Sequence, residues 1–127
     1  MIDNDKISIA QQLVTRFFQG DYEAVVQSLD ESIKQQFPVE RLQATRLSLA
    51  AQVGEFKEQV GTHTFQIPSA ELVIVTCAFA NARLDFNVAF NEPGKIVGVT
   101  ITPVGKTTAL FQRKMGKIKQ SYSQNYK

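Results

Sequence analysis

ELVIVTCAFANARLDFNVAFNEPGKIVGVTITP, running from Glu71 to Pro103, reads as three consecutive antiparallel strands. In its middle, Leu84, Phe86, Val88 and Phe90 alternate with Arg83, Asp85, Asn87 and Ala89, the period of two expected of a half-buried strand. Ahead of it, LVIVTCAF (Leu72 to Phe79) is apolar on both faces except at Thr76, as suits a central strand covered on both sides. Ala80-Asn81-Ala82 has hairpin length, with Asn81 the residue most tolerant of positive φ. In Asn91-Glu92-Pro93-Gly94, proline presets φ and glycine accepts the left-handed position after it. The third strand, Ile96 to Thr102, places Val97, Val99 and Ile101 on one face and Ile96, Gly98 and Thr100 on the other.

Upstream of the strands the period changes to that of helices. Ile7, Ala10, Val14 and Phe17 fall at helical spacing, with Leu13 and Phe18 widening the stripe and Gly20 ending it. Asp21 can cap a second helix carrying Val26, Leu29 and Ile33, with Phe37 a turn further on. Pro38 opens a third helix to Val53, and Gly54 stops it. Leu42, Leu49 and Val53 define its apolar stripe, and the missing member of the series is Arg46. Such an arginine must pair or send its head to a cavity mouth or subunit edge. Glu55 to Ile67 reads as one more strand whose phase reverses between Phe56/Val60 and Phe65/Ile67, with Gly61 placed for a β-bulge. Pro68-Ser69-Ala70 then turns the chain into the central strand. The expected class is therefore α+β: three N-terminal helices packed on a curved antiparallel sheet of about four strands, over residues 1–103.

Composition bounds the function. The 127 residues suffice for one domain with a core that needs no covalent staples. The lone Cys77, inside the most apolar strand, reads as a small buried filler. No run is long and apolar enough for a membrane span, and MIDNDKISIA lacks a secretory pattern, so the expected location is cytoplasmic. The net charge of +2 hides an asymmetry: residues 1–103 carry 8 Lys/Arg against 12 Asp/Glu, and residues 104–127 carry 6 Lys/Arg and no acid. In that tail, Phe111, Met115, Ile118 and Tyr122 recur at helical spacing among Arg113, Lys114, Lys117 and Lys119, a basic amphipathic pattern. It suits the acidic body of this chain or a dimer contact at least as well as an anionic membrane, which is not the favoured partner. No stacking platform or basic groove elsewhere points to nucleic acid.

FFQGDYEAVVQSLDESIK (Phe17 to Lys34), the VGEF step (Val53 to Phe56) and ARLDFNVAFNEPGKIVGVTI (Ala82 to Ile101) resemble the nuclear transport factor 2-like, or cystatin-like α+β cone, superfamily. Within it the wording looks like a small bacterial domain family of unknown function, often found beside α/β-hydrolase domains. The resemblance implies a sheet curled around a cavity, with helices closing the concave side, and brings no reaction with it. Position 46 departs from the pattern, since a bulky aromatic is expected on that helix face.

No complete catalytic set emerges, and no cofactor or metal is implied. His63 is the only histidine, too few for a usual metal site, and an acid–base role requires pairing with Asp85 or Glu58. Cys77 lacks a neighbouring positive charge or helix N-terminus to activate it. Superfamily isomerases use a buried aspartate and a tyrosine hydroxyl, for which Asp85 and Tyr22 are the available residues. Gly105-Lys106-Thr107 is no phosphate loop: Gly98 and Gly105 are too far apart and the strand-to-helix context is missing. Tyr22, Arg46, His63 and Asp85 are the cavity candidates for ligand binding.

The expectation is a non-catalytic, cavity-bearing domain that binds a small apolar ligand or supports association. The alternative is an isomerase- or dehydratase-like enzyme acting on a small hydrophobic substrate. Because the central strand is apolar on both faces, one face turned from the helices needs cover. Either the tail supplies it through Phe111, Met115 and Ile118, or a second subunit does; the favoured form is a homodimer with the tail at its edge.

Overall fold

The computed structural model describes residues 4–104, so the basic tail beyond Val104 lies outside the described residues. Four helical segments come first: α1 (Asn4–Gln19), α2 (Tyr22–Gln27), α3 (Glu31–Lys34) and α4 (Val39–Val53). Strands β1 (Phe56–Ile67), β2 (Ala70–Phe79), β3 (Arg83–Phe90) and β4 (Ile96–Pro103) follow as an antiparallel sheet in the order β1-β2-β3-β4. The α+β class, with N-terminal helices on a four-stranded antiparallel sheet, is the one expected from the periodicities.

The helices lie on one face of the sheet. Ala10, Leu13, Val14 and Phe17 of α1 are buried with Val73, Val75, Cys77 and Phe79 of β2 and Leu84, Phe86, Val88 and Phe90 of β3. The paired register of β2 and β3, Val75 opposite Phe86 and Val73 opposite Val88, puts these residues on the same side. At the margin Gln59 Nε2 donates to Gln11 O (3.1 Å) and Thr15 Oγ1 (3.0 Å), and Lys6 pairs with Glu71, fastening α1 to β1 and β2.

Four local expectations change. The single second helix is broken in two because Leu29 leaves the helical path to bridge Ile96 in parallel, and Asp30 N–H donates to Ile96 O at 2.8 Å. Asp30 then restarts the chain as the cap of α3, accepting from Ser32 N at 3.0 Å. In β4, Ile96 faces the helices with Val99 and Ile101 rather than opposing them, because a register shift after Ala89 leaves Val97 as an extra residue. β1 carries two such irregularities, at Phe56/Glu58 and Gln59/Gly61, instead of one. Two shifts restore the original phase, so Phe56 faces the helices opposite Phe79, while Phe65 and Ile67 face away opposite Leu72 and Ala70. Asn81, expected to tolerate positive φ, does not use it: every described residue with positive φ is glycine.

The β2–β3 turn is instead held by the α4–β1 junction. Asn81 N–H donates to Val53 O and Ala80 N–H to Glu55 O, both at 2.9 Å. Gly54, between those acceptors, has φ +88°, and a Cβ on it would stand 2.7 Å from Ala80 Cβ. Conformation and space both exclude a side chain there. Gly54→Ala is accordingly expected to destabilise the domain by roughly 1–3 kcal/mol in urea unfolding. Gly61→Ala, where a Cβ meets nothing within 4 Å, is the matched control and should stay within about 0.5 kcal/mol of the parent.

Candidate functional site

Helix α4 rests mainly on α1 and α2 rather than on the sheet, and the gap this leaves is a mainly apolar cavity. It measures about 290 Å³. Leu13 and Phe17 of α1, Leu42 of α4 and Phe86 of β3 form its buried interior. The opening lies along edge strand β4, between half-buried Val99 and Ile101 on one side and Phe37, Arg41 and Thr45 on the other. Arg41 Nη1 donates to Gln36 O at 2.5 Å, and its guanidinium stands 5.2 Å from the Phe37 ring centroid. An exposed cation thus borders the mouth of a mainly apolar chamber.

Beside this chamber lies an aromatic cluster centred on Phe18. Its ring stacks on Phe56 (4.2 Å, 6°) and meets Phe17, Phe79 and Phe86 edge-on at 4.9, 5.6 and 5.6 Å. Tyr22 extends the cluster against Phe17 at 6.1 Å, and its hydroxyl accepts from Arg46 Nη1 at 3.3 Å. Arg46 is half-buried and lines a separate concavity of about 300 Å³ with Phe18, Phe56 and Phe79. The arginine in the apolar stripe of α4 therefore does what a snorkelling side chain does, lying along apolar surface with its head on a neutral hydroxyl.

The other face of the sheet is half apolar and half polar. Phe65, Ile67, Leu72 and Ile74 occupy one end. At the other end Thr76 Oγ1 donates to Asp85 Oδ1 at 2.6 Å, and Asn87 Nδ2 lies 3.1 Å from both Thr100 Oγ1 and Thr102 Oγ1. Asp85 and Asn87 are only 5% and 2% exposed, so these bonds offset a desolvation that would otherwise be costly.

The four residues singled out from the sequence are therefore divided. Tyr22 and Arg46 meet each other on the helical side; His63 and Asp85 lie on the opposite face, and none of the four lines the 290 Å³ cavity. His63, exposed opposite Ile74, stands two strands from Asp85, about 10 Å by strand spacing. Tyr22 and Asp85, on opposite sides of the sheet, cannot converge on one substrate atom as an isomerase pair must. Cys77 turns toward the helices, away from His63. Among the described residues no three His, Cys, Asp or Glu side chains gather where a metal could be held, and no helix is long and apolar enough to cross a membrane. The residues that line the cavity mouth, Phe37, Arg41 and Thr45, carry one signal in the sequence: spacings of four across the Pro38 boundary, which place them on one side of the α4 entrance.

A family model described as a protein of unknown function, DUF3887, matches residues 10–99. The chain belongs to the DUF3887 family. No curated protein and no solved structure matches it. The DUF3887 match spans the buried core from Ala10 to Ile96 and all of the cavity lining except Thr100 and Ile101.

Burial, and secondarily the nearby Asp85 charge, push the Cys77 thiol up to about 12 from its ordinary 9.0. The thiol should therefore resist a disulfide reagent at pH 8 in the native protein and react with one equivalent in denaturant. The unfolded chain loses its thiol proton first as pH rises, so stability should be undiminished below about pH 9 and fall between about 9 and 12. Cys77→Ala should remove that part of the alkaline slope, as read from urea unfolding across the same range.

Proposed function

We propose that this DUF3887 protein is a non-catalytic binding domain that takes a small, mainly apolar molecule in the chamber between α1, α4 and β4. The observation that carries this reading is the 290 Å³ cavity itself, dry-walled within and bounded by Arg41 and Thr45 at its mouth. Cavities of about 150 Å³ lined by aliphatic and aromatic residues take up benzene, so this one has room for a fused bicycle or a medium aliphatic chain. A negatively charged or polar head on such a molecule would meet Arg41. The same features support a finer kinship with the nuclear transport factor 2-like cones: helices first, then a bulged antiparallel sheet with a chamber between them. A bacterial source, a hydrolase neighbour and a homodimer belong to that proposal too.

The absence of a convergent acid–base pair around the chamber among the described residues favours binding over an isomerase or dehydratase role. Octanoate and 1-octanol are suitable probes. Methyl resonances of Leu13, Leu42 and Val99 should shift saturably, with Kd between about 10 µM and 1 mM for ligands of this size. Thr45→Trp, which fills the mouth, should weaken binding at least tenfold while leaving Tm within a few degrees; Val99→Phe repeats the test from the sheet side. Shifts that stay linear up to the solubility limit, or that ignore both variants, would overturn the proposal.

A further inference from the structure

Polar groups are spread unevenly around the chamber between α1, α4 and β4. Among the described residues that line it, Arg41 alone is charged and none is acidic. Thr45 follows Arg41 by one helical turn, so both stand on one stripe of α4, at the same side of the opening. Glu40, the neighbouring acid, lies about 100° round the helix and takes no part in the lining. The other polar residue of the lining, Thr100, is engaged elsewhere: its Oγ1 accepts from Asn87 Nδ2 at 3.1 Å. Across the opening β4 offers Val99 and Ile101, and the interior is aliphatic and aromatic. Donors are thus gathered at one lip of an apolar chamber.

Arg41 is positioned without being neutralised. Its two contacts are the Gln36 carbonyl, which accepts from Nη1, and the Phe37 ring, 5.2 Å from the guanidinium. Neither carries a charge, and no described carboxylate forms an ion pair with Arg41. A guanidinium has five N–H donors, so one carbonyl leaves several of them for a ligand.

Resting on the reading of this chamber as a ligand site, we infer that its ligands are singly anionic amphiphiles, of which a medium-chain carboxylate is the simplest. The apolar tail fills the chamber, and the head stays at the lip, accepting from the Arg41 guanidinium and the Thr45 hydroxyl. Orientation follows from cost. A carboxylate driven inward would be buried among apolar side chains without a donor, whereas at the lip it keeps part of its hydration. The head-group charge follows from the donors: a carboxylate only accepts, and a guanidinium only donates. A neutral alcohol gains no Coulomb attraction from Arg41, and an ammonium is repelled by it.

Octanoate, 1-octanol and octylammonium share one tail and differ in head-group charge. At pH 7 and low ionic strength octanoate should bind about threefold or more tighter than 1-octanol, with octylammonium weakest, as read from saturable methyl shifts of Leu13 and Val99. A chamber without the cation would favour the alcohol, since the carboxylate is costlier to desolvate, so the order itself decides. In Arg41→Gln, octanoate should fall to or below 1-octanol, while 1-octanol changes less than about twofold; Arg41→Lys should keep part of the preference. The unaltered protein gives an independent check, because about 0.5 M salt should shrink the octanoate preference at an exposed cation. Equal affinity for octanoate and 1-octanol, or a preference that survives Arg41→Gln or is indifferent to salt, would overturn the head-group assignment and leave the chamber reading standing. If none of the three saturates, both fall.

Discussion

Strand β2 has to be kept dry on both of its faces, and most of the architecture answers to that requirement. Val73, Val75 and Cys77 on one side and Leu72 on the other are all essentially inaccessible. A strand with apolar residues at successive positions cannot sit at a sheet edge or bare one face to water. It therefore takes the interior of the order β1-β2-β3-β4, and α1 lies along its odd-numbered residues. Two of the remaining helices fall into place around α1, while α3 packs on β4. α2 and α4 pack on α1 and each other, which is why a chamber remains between α4 and β4.

Much of this could be read from the residues, because each main element has its own period. The α1 stripe, the alternation in β3, and the stops at Gly20, Gly54 and Gly94 are local properties, and all three glycines have the positive φ such stops require. What could not be read depends on partners remote in sequence. The break at Leu29 exists because Ile96, far along the chain, offers a strand to bridge. Nothing local distinguishes one bulge in β1 from two, since an even number of shifts leaves the pattern's phase unchanged at the far end. The candidate site suffered most from the same cause: whether Asp85 or Phe86 faces the helices is a binary choice that alternation alone leaves open. Phe86 faces them, and the polar candidates on β1 and β3 thereby leave the chamber side.

The segments that mark the resemblance turn out to be architectural. FFQGDY contributes Phe17, Phe18 and Tyr22 to the aromatic cluster, and VGEF contributes Phe56 together with the junction glycine that accepts no side chain. Edge-on and stacked aromatic contacts contribute about 0.5–1.5 kcal/mol each beyond their buried area. Residues placed this way serve stability whatever the domain does, so these segments speak for the scaffold of this chain and not for its function. Arg46 sits at the margin of this cluster rather than within it, its guanidinium held by the Tyr22 hydroxyl and lying near the bare Gly20. An arginine replaces the aromatic expected there without emptying the core, because its stem covers the apolar surface and its head reaches the rim.

A buried carboxylate in a small domain invites a catalytic reading, and Asp85 shows why burial alone does not suffice. Its carboxylate takes the Thr76 hydroxyl across the β2–β3 pair, and two residues on Asn87 reaches Thr100 and Thr102 across the β3–β4 pair. Each bond links neighbouring strands at fixed register. A slip of one residue in either pair would bring these polar groups against the core and send Phe86 and Val88 outward, so the two sets of preferences reinforce each other. Asp85 and Asn87 thus specify which face of β3 is which, and that choice puts Phe86 into the wall of the chamber. The polar residues contribute to the chamber side of the sheet by being excluded from it.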